Sequence, residues 1–422
     1  MLNLSRRSFL TVGGFGLLSM PQVLRAQKNS STTHKAVINI FLGGGPPHQD
    51  MWDIKSEAPS EIRGPFKPIP TNVAGLQIGE CFPKIASMFD KFTAIRSVVG
   101  CKNKHDGYQC ATGWPREDKV SGSTYPAVGS VTAKVLGSVS VAVPPNITLL
   151  EDTGHDRWFN FDKPGYLGTA YKSFNPNGEM MEDLKLNIPI TRFGNRKNLL
   201  RTLDKSKIDM KLLTEESFDV LMSSKLLDAL DLSQEDPKTL ERYGTGKPYK
   251  YQYDGAATDN HKLLVARRLV QAGARSITLN YGRWDSHSAN FDLVRHHGSR
   301  LDQCVSALVE DLDQHGILDD VTVVVWGEFG RTPKVNKDAG RDHWSQVSCA
   351  LLAGGGMKHG QIIGSTNRYG EEAVDRPVHT QEVCATMYKA IGIDPTTETI
   401  TDNTGRPQYL LEHRTPIQEL VG

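Results

Sequence analysis

Val37-Ile38-Asn39-Ile40-Phe41-Leu42-Gly43-Gly44-Gly45-Pro46-Pro47-His48-Gln49-Asp50 begins as a buried-type strand and ends as a loop carrying an imidazole and a carboxylate. The same arrangement returns downstream. Ser276-Ile277-Thr278-Leu279 leads into Trp284-Asp285-Ser286-His287, and Val321-Thr322-Val323-Val324-Val325 into Gly327-Glu328-Phe329-Gly330-Arg331. Gly340-Arg341-Asp342-His343-Trp344 stands just before a fourth apolar run. Carboxylates and imidazoles gathered out of water cost free energy unless a cation or a hydrogen-bond partner offsets it. In an open α/β sheet the loops after the strand C-termini form the binding crevice, so ligands hundreds of residues apart in sequence can meet there.

Working outward, Thr93 to Val99 reads as another strand, preceded by an amphipathic helix over Phe82 to Phe92 with Ile85, Met88 and Phe89 on one side. Asn260 to Ala272 is a helix with Gly273 as its C-cap. The pattern continues as strand 276–281, helix 292–315, strand 321–326, strand 347–353 and helix 380–391. Alternating helices and uniformly apolar strands predict an α/β fold, a largely parallel sheet with helices on both faces. Residues 151–205 are polar, glycine-rich and poor in periodicity, and helices return from about Asp209 to Leu240; together they predict an inserted cap over 151–258 within a single domain spanning 35–422.

The N-terminus, Ser5-Arg6-Arg7-Ser8-Phe9-Leu10 followed by a short mildly apolar segment, reads as a twin-arginine signal peptide over 1–26, with a polar tether over 27–34. The apolar stretch is too short and too broken for a membrane span, so none is expected once the signal is removed. The expected location is periplasmic or otherwise extracytoplasmic. Without Arg6, Arg7 and Arg25 the basic count falls from 49 to 46 against 48 acids, a net charge of −2. No basic field exists to point to nucleic acid. The six cysteines lack the spacing of a zinc-thiolate site. A Cys101–Cys110 disulfide and buried free thiols are both compatible with the sequence.

Taken singly, the candidate ligands are weak signals. Asp285 and His287 can turn toward one ion from a loop; adjacent Asp342 and His343 can do so only outside a regular element. His48 and Asp50 follow glycines and prolines that allow close backbone approach. His105 follows the strand ending near Val99, and His379 precedes the last long helix, whose natural N-cap is Thr380. Arg331 and Arg341 suit either salt bridges to Glu328 and Asp342 or contact with an anionic ester. Co-occurrence carries the argument, because chance would scatter such residues over both ends of the sheet.

The segments Phe41 to Asp53, Trp284 to His287, Glu328-Phe329-Gly330-Arg331-Thr332-Pro333 and Gly340 to Trp344 resemble the signature of the bacterial family called domain of unknown function fifteen-oh-one, over essentially residues 35–395. That family is sulfatase-like and related to the alkaline phosphatase superfamily. The resemblance implies an alkaline phosphatase/sulfatase-like core and two divalent metal ions. Asp342 and His343 match the superfamily's adjacent Asp-His pair, and Asp285 and His287 resemble the ligands of the other ion. His379 resembles the last histidine ligand, and His48 with Asp50 would replace the acid that ends the first strand. The superfamily's serine, threonine or formylglycine nucleophile has no counterpart in Cys101-Lys102-Asn103-Lys104-His105-Asp106-Gly107-Tyr108-Gln109-Cys110-Ala111-Thr112-Gly113.

These readings converge on an exported metal-dependent hydrolase of a sulfate or phosphate ester, carried by a small molecule or a polysaccharide, with a metal-bound water as nucleophile. His105 would be base or ligand, and Arg331 or Arg341 would contact the anion. A catalytically lost binding or scaffold protein and a metal-dependent phospho-isomerase or transferase are the rivals.

Overall fold

The computed structural model describes residues 34–177, 224–251 and 255–422. The expected signal peptide, the tether up to residue 33, and residues 178–223 and 252–254 of the expected cap lie outside the described residues. Among the described residues, no helix is long and apolar enough to cross a membrane.

The chain builds one eight-stranded sheet. Its strands are β1 (Ala36–Gly43), β2 (Phe92–Val99), β3 (Asn146–Leu149), β4 (Ser276–Arg283), β5 (Val321–Trp326), β6 (Ser348–Gly354), β7 (Gln361–Ile363) and β8 (Val378–His379). The order across the sheet is β7-β2-β6-β5-β1-β4-β3, with β8 pairing β2 beyond β7. β1 runs parallel to β4 and β5, β4 to β3, and β2 to β7 and β8; β6 alone runs against its neighbours. That exception has a simple cause. A parallel crossover needs a helix-length connection, and the segment between β5 and β6 holds only a two-residue ladder, Gly330–Arg331 against His343–Trp344.

The helices that position the site are α1 (His48–Met51), α2 (Pro83–Ser87), α3 (Tyr108–Thr112), α4 (Val128–Leu136), α5 (His261–Ala272), α6 (Asn290–Gln314) and α7 (Thr380–Ala390). β1 shows why both sheet faces are covered. Ala36, Ile38, Ile40 and Leu42 enter one core, shared with α2, α5 and α6; Val37 and Phe41 enter the other, shared with α3, α4 and α7. Each buried aliphatic or aromatic side chain contributes about 1.5–3 kcal/mol over the exposed state. The expected helix over 82–92 is broken at Met88, whose φ of −134° leaves the α region, and a 3-10 turn at Phe89–Lys91 drops Phe89 into the core.

Of the expected cap, Leu226, Ala229 and Tyr243 join the core beneath α5 and α6, whereas Trp158 turns toward the strand C-termini. At the sheet's outer edge Phe174 exchanges backbone hydrogen bonds with β3, its N–H to Asn146 O (2.9 Å) and its carbonyl from Thr148 N–H (2.8 Å). All six cysteines are free thiols, so Cys101 and Cys110 are not bonded to each other.

Asp302 of α6 caps α2, accepting from the backbone N–H groups of Lys84 (3.0 Å) and Ile85 (2.8 Å). Burial lifts its carboxyl to about 6, against the pull of those two donors. Because the folded pKa lies above the ordinary 3.8, folding favours the protonated group. Its contribution to stability is complete below about pH 4 and is lost as pH rises through about 6. Denaturant titrations from pH 4 to 7 should therefore show a shallower decline for Asp302→Asn than for the wild type; parallel curves would contradict this account.

Candidate metal centre

The site lies where β1, β4 and β5 end. Gly44 and Gly45 have φ of +106° and +81°. A Cβ on Gly44 would sit 2.3 Å from the backbone nitrogen of Asp285, so only glycine lets the first loop lie against the residue that follows β4. Trp284 N–H donates to Gly43 O (2.7 Å), and Gly44 N–H donates to the Glu328 carboxylate (2.9 Å). The first two loops are thereby locked by their backbones, and the third by the Glu328 side chain.

Asp285 is the hub. Its Oδ1 faces the Nε2 atoms of His287 (3.0 Å), His343 (3.3 Å) and His105 (3.5 Å), and the Nε2 atoms of His287 and His343 are 3.0 Å apart. The four donor atoms lie within 4.8 Å of one another, a ligand group of the size that holds one cation. Arg331 also donates to Oδ1, and Arg283 to Oδ2 at 3.0 Å. Burial pushes the Asp285 carboxyl up, but the hydrogen bonds from His105 and His343 and the Arg331 charge hold it far below the usual carboxylate range.

Two imidazoles are fixed from behind. His105 Nδ1 lies 3.2 Å from Glu328 Oε1, and His287 Nδ1 lies 2.7 Å from Asp342 Oδ1. An Nδ1–H donated to a carboxylate leaves the Nε2 lone pair facing forward, which is how metal-binding histidines are oriented. Burial pulls the His105 pKa down, yet the hydrogen bonds to Asp285 and Glu328 outweigh it and lift it to about 9. The pair with His287 holds Asp342 below the usual carboxylate range. Three imidazoles around one carboxylate oxygen need protons or a cation between them, and the two compete for the same lone pairs. Nitrogen and oxygen donors of this kind suit zinc or a similar divalent ion.

The inner wall is aromatic. The His105 ring packs against Trp158 and Phe329, at centroid distances of 4.9 and 5.3 Å, and Trp158 Nε1 donates to Glu328 (3.0 Å). The outer side is open, with the His287 and Asp342 side chains 48% and 52% exposed.

His105, Asp285, His287 and His343 are thus brought together, with Asp342 directly behind. The other expected residues are not. Asp50 is buried in a two-pronged pair with Arg341 (2.7 and 3.1 Å) and accepts from Asn290 Nδ2 (2.8 Å), so it has no free face for an ion. Arg341, fully buried, also donates to the backbone carbonyls of Thr332, Pro333 and Ile62, and so meets no anion. Arg331, equally buried, is spent on Gly44 O, Gly45 O, Arg341 O and Asp285. His48 Nε2 meets Gly370 O (2.9 Å). His379, and not Thr380, is the N-cap of α7, its Nδ1 accepting from Gln381 N–H (3.2 Å). On β8 it stands beside Val99 of β2, five places from β4 in the sheet, roughly 24 Å at the usual strand spacing. Glu328, which sequence reasoning passed over as a ligand support, meets His105 Nδ1, and its place just after β5 was a signal equal to the others.

A family model described as protein of unknown function (DUF1501) matches residues 34–421. No curated protein matches the chain. Among solved structures it is similar to Ps i-CgsB in complex with k-i-k-neocarrahexaose, at 9% identity over 85% of this chain and 72% of that one, with a TM-score of 0.38. The PsFucS1 sulfatase from Pseudoalteromonas sp. matches at 11% identity over 90% and 73%, TM-score 0.37. The C-terminal periplasmic domain of EcEptC from Escherichia coli, in complex with zinc, matches at 9% identity over 87% and 86%, TM-score 0.37.

Arg341→Met should destabilise the fold by about 3–5 kcal/mol, because it leaves Asp50 charged and buried without its counterion. Adding Asp50→Asn should recover a large part of that loss in a denaturant double-mutant cycle. Additive effects would show that the two side chains do not act as a pair.

Proposed function

The chain belongs to the DUF1501 family, and from that premise we propose that it is an exported metal-dependent hydrolase of an anionic ester of sulfate or phosphate. The observation that carries this reading is the convergence of three imidazole Nε2 atoms on one buried carboxylate oxygen, two of the rings being held by carboxylates at Nδ1. A divalent cation bound there would polarise an ester and bring the pKa of a water toward neutrality. The residues supply the rest. Asp342 and Glu328 hold protons on the outer nitrogens of His287 and His105. Trp158 and Phe329 keep water from the inner side, and the open face beside His287 and Asp342 admits the substrate.

Attack by water rather than by a side chain fits the thiols nearby. Burial pushes Cys101 up to about 12 and Cys110 well above its ordinary value, so neither is available as a thiolate. Export by the twin-arginine route, with a periplasmic or other extracytoplasmic location, rests on Arg6 and Arg7 before the apolar segment. The ester's carrier is a small molecule or a polysaccharide, consistent with the outward-facing mouth.

Two measurements test this. Purified protein loaded with zinc should hydrolyse an aryl sulfate or an aryl phosphate, and His343→Ala should lose both the bound zinc and the turnover. Zinc binding without turnover on either ester class would leave a binding protein instead. His105→Ala should lower kcat by roughly 10²-fold or more, while Cys101→Ala and Cys110→Ala stay within a few-fold. A sulfated, phosphorylated or formylglycine-modified side chain found by mass spectrometry would overturn the water mechanism.

A further inference from the structure

The two-ion centre that the resemblance implies does not fit the groups present. One ligand set exists among the described residues, and most of the groups a second ion would need are already committed. Asp285 Oδ2 accepts from Arg283 (3.0 Å). Glu328 accepts from Gly44 N–H, Trp158 Nε1 and His105 Nδ1. Asp50 is closed by Arg341 and Asn290, and His379 is the cap of α7.

Against the shared oxygen of Asp285 stands the Arg331 guanidinium, fully buried and anchored on the carbonyls of Gly44, Gly45 and Arg341. A guanidinium stays charged at any working pH, and this one is tied to three loops at once. It already supplies a positive charge where a second ion would neutralise Asp285. The charge count agrees. Asp285, Glu328 and Asp342 bring three negative charges; Arg283 and Arg331 return two. With neutral imidazoles, one divalent ion takes the centre from −1 to +1, enough to attract an anionic ester. A second ion would take it to +3 with no further carboxylate to offset it.

We infer that the centre holds a single divalent ion, coordinated by His105, Asp285, His287 and His343, with the Arg331 guanidinium standing in the electrostatic place of a second ion. This rests on the metal-dependent reading above, but it can fail alone. The full chain, titrated with zinc alone against a chromogenic chelator, should bind one ion that is lost in His343→Ala, a partly exposed position whose variant should melt with the wild type. Anomalous diffraction from zinc-soaked wild-type crystals should show one peak among the four ligands, with Arg331 still on Asp285. Two peaks at the cluster, or Arg331 displaced from Asp285 on loading, would overturn the single-ion assignment and leave the hydrolase reading intact. No zinc at the cluster would overturn both.

Discussion

Asp285 is a carboxylate removed from water just past the end of β4, and most of the surrounding structure serves to compensate it. An ionised carboxylate cannot be left alone in such a place. The chain answers with two guanidiniums and three imidazoles drawn from the chain at and beyond the ends of β2, β4 and β5. The need to bring these groups within reach explains the positive-φ glycines after β1, the backbone lock between Gly43 and Trp284, and the short ladder that presents His343 opposite Arg331.

Behind this centre lies a second tier of buried polarity. Arg341 ties Asp50 to the loop carrying Asp342 and His343, while Asn290 bonds both Asp50 and Ser286 in the loop carrying Asp285 and His287. Pairs of this kind contribute little net stability compared with apolar packing, but breaking one is costly. Their use here is positional: they fix the relative placement of two ligand-bearing loops that no strand pairing connects.

The fold was legible because its central strands are uniformly apolar and separated by helical periodicity, which allows few arrangements. The direction of β6 was not, since nothing in Ser348 to Gly354 distinguishes a strand that returns from one that crosses over. For the site, strand-end position separated Asp285, His287 and His343 from the histidines of helices. It could not separate them from His48, Asp50, Arg341 or His379, which occupy equivalent loops with the same residue types. What divides the two groups is the partner each finds in space: a carbonyl, a guanidinium or a helix N-terminus for the second group, and one another for the first. Such pairing is set by tertiary approach over distances that no local pattern encodes.

The strands at the ends of the sheet have a consequence of their own. β7 covers the first half of β2 and β8 the second, two short pieces laid end to end along one border. At the opposite border, Phe174 takes up the outward hydrogen-bonding groups of Asn146 and Thr148. A long unpaired border is a template on which another chain can add a strand and begin an aggregate. Here one border is made of pieces of two and three residues and the other is capped at Phe174, so little continuous edge is left for a guest strand.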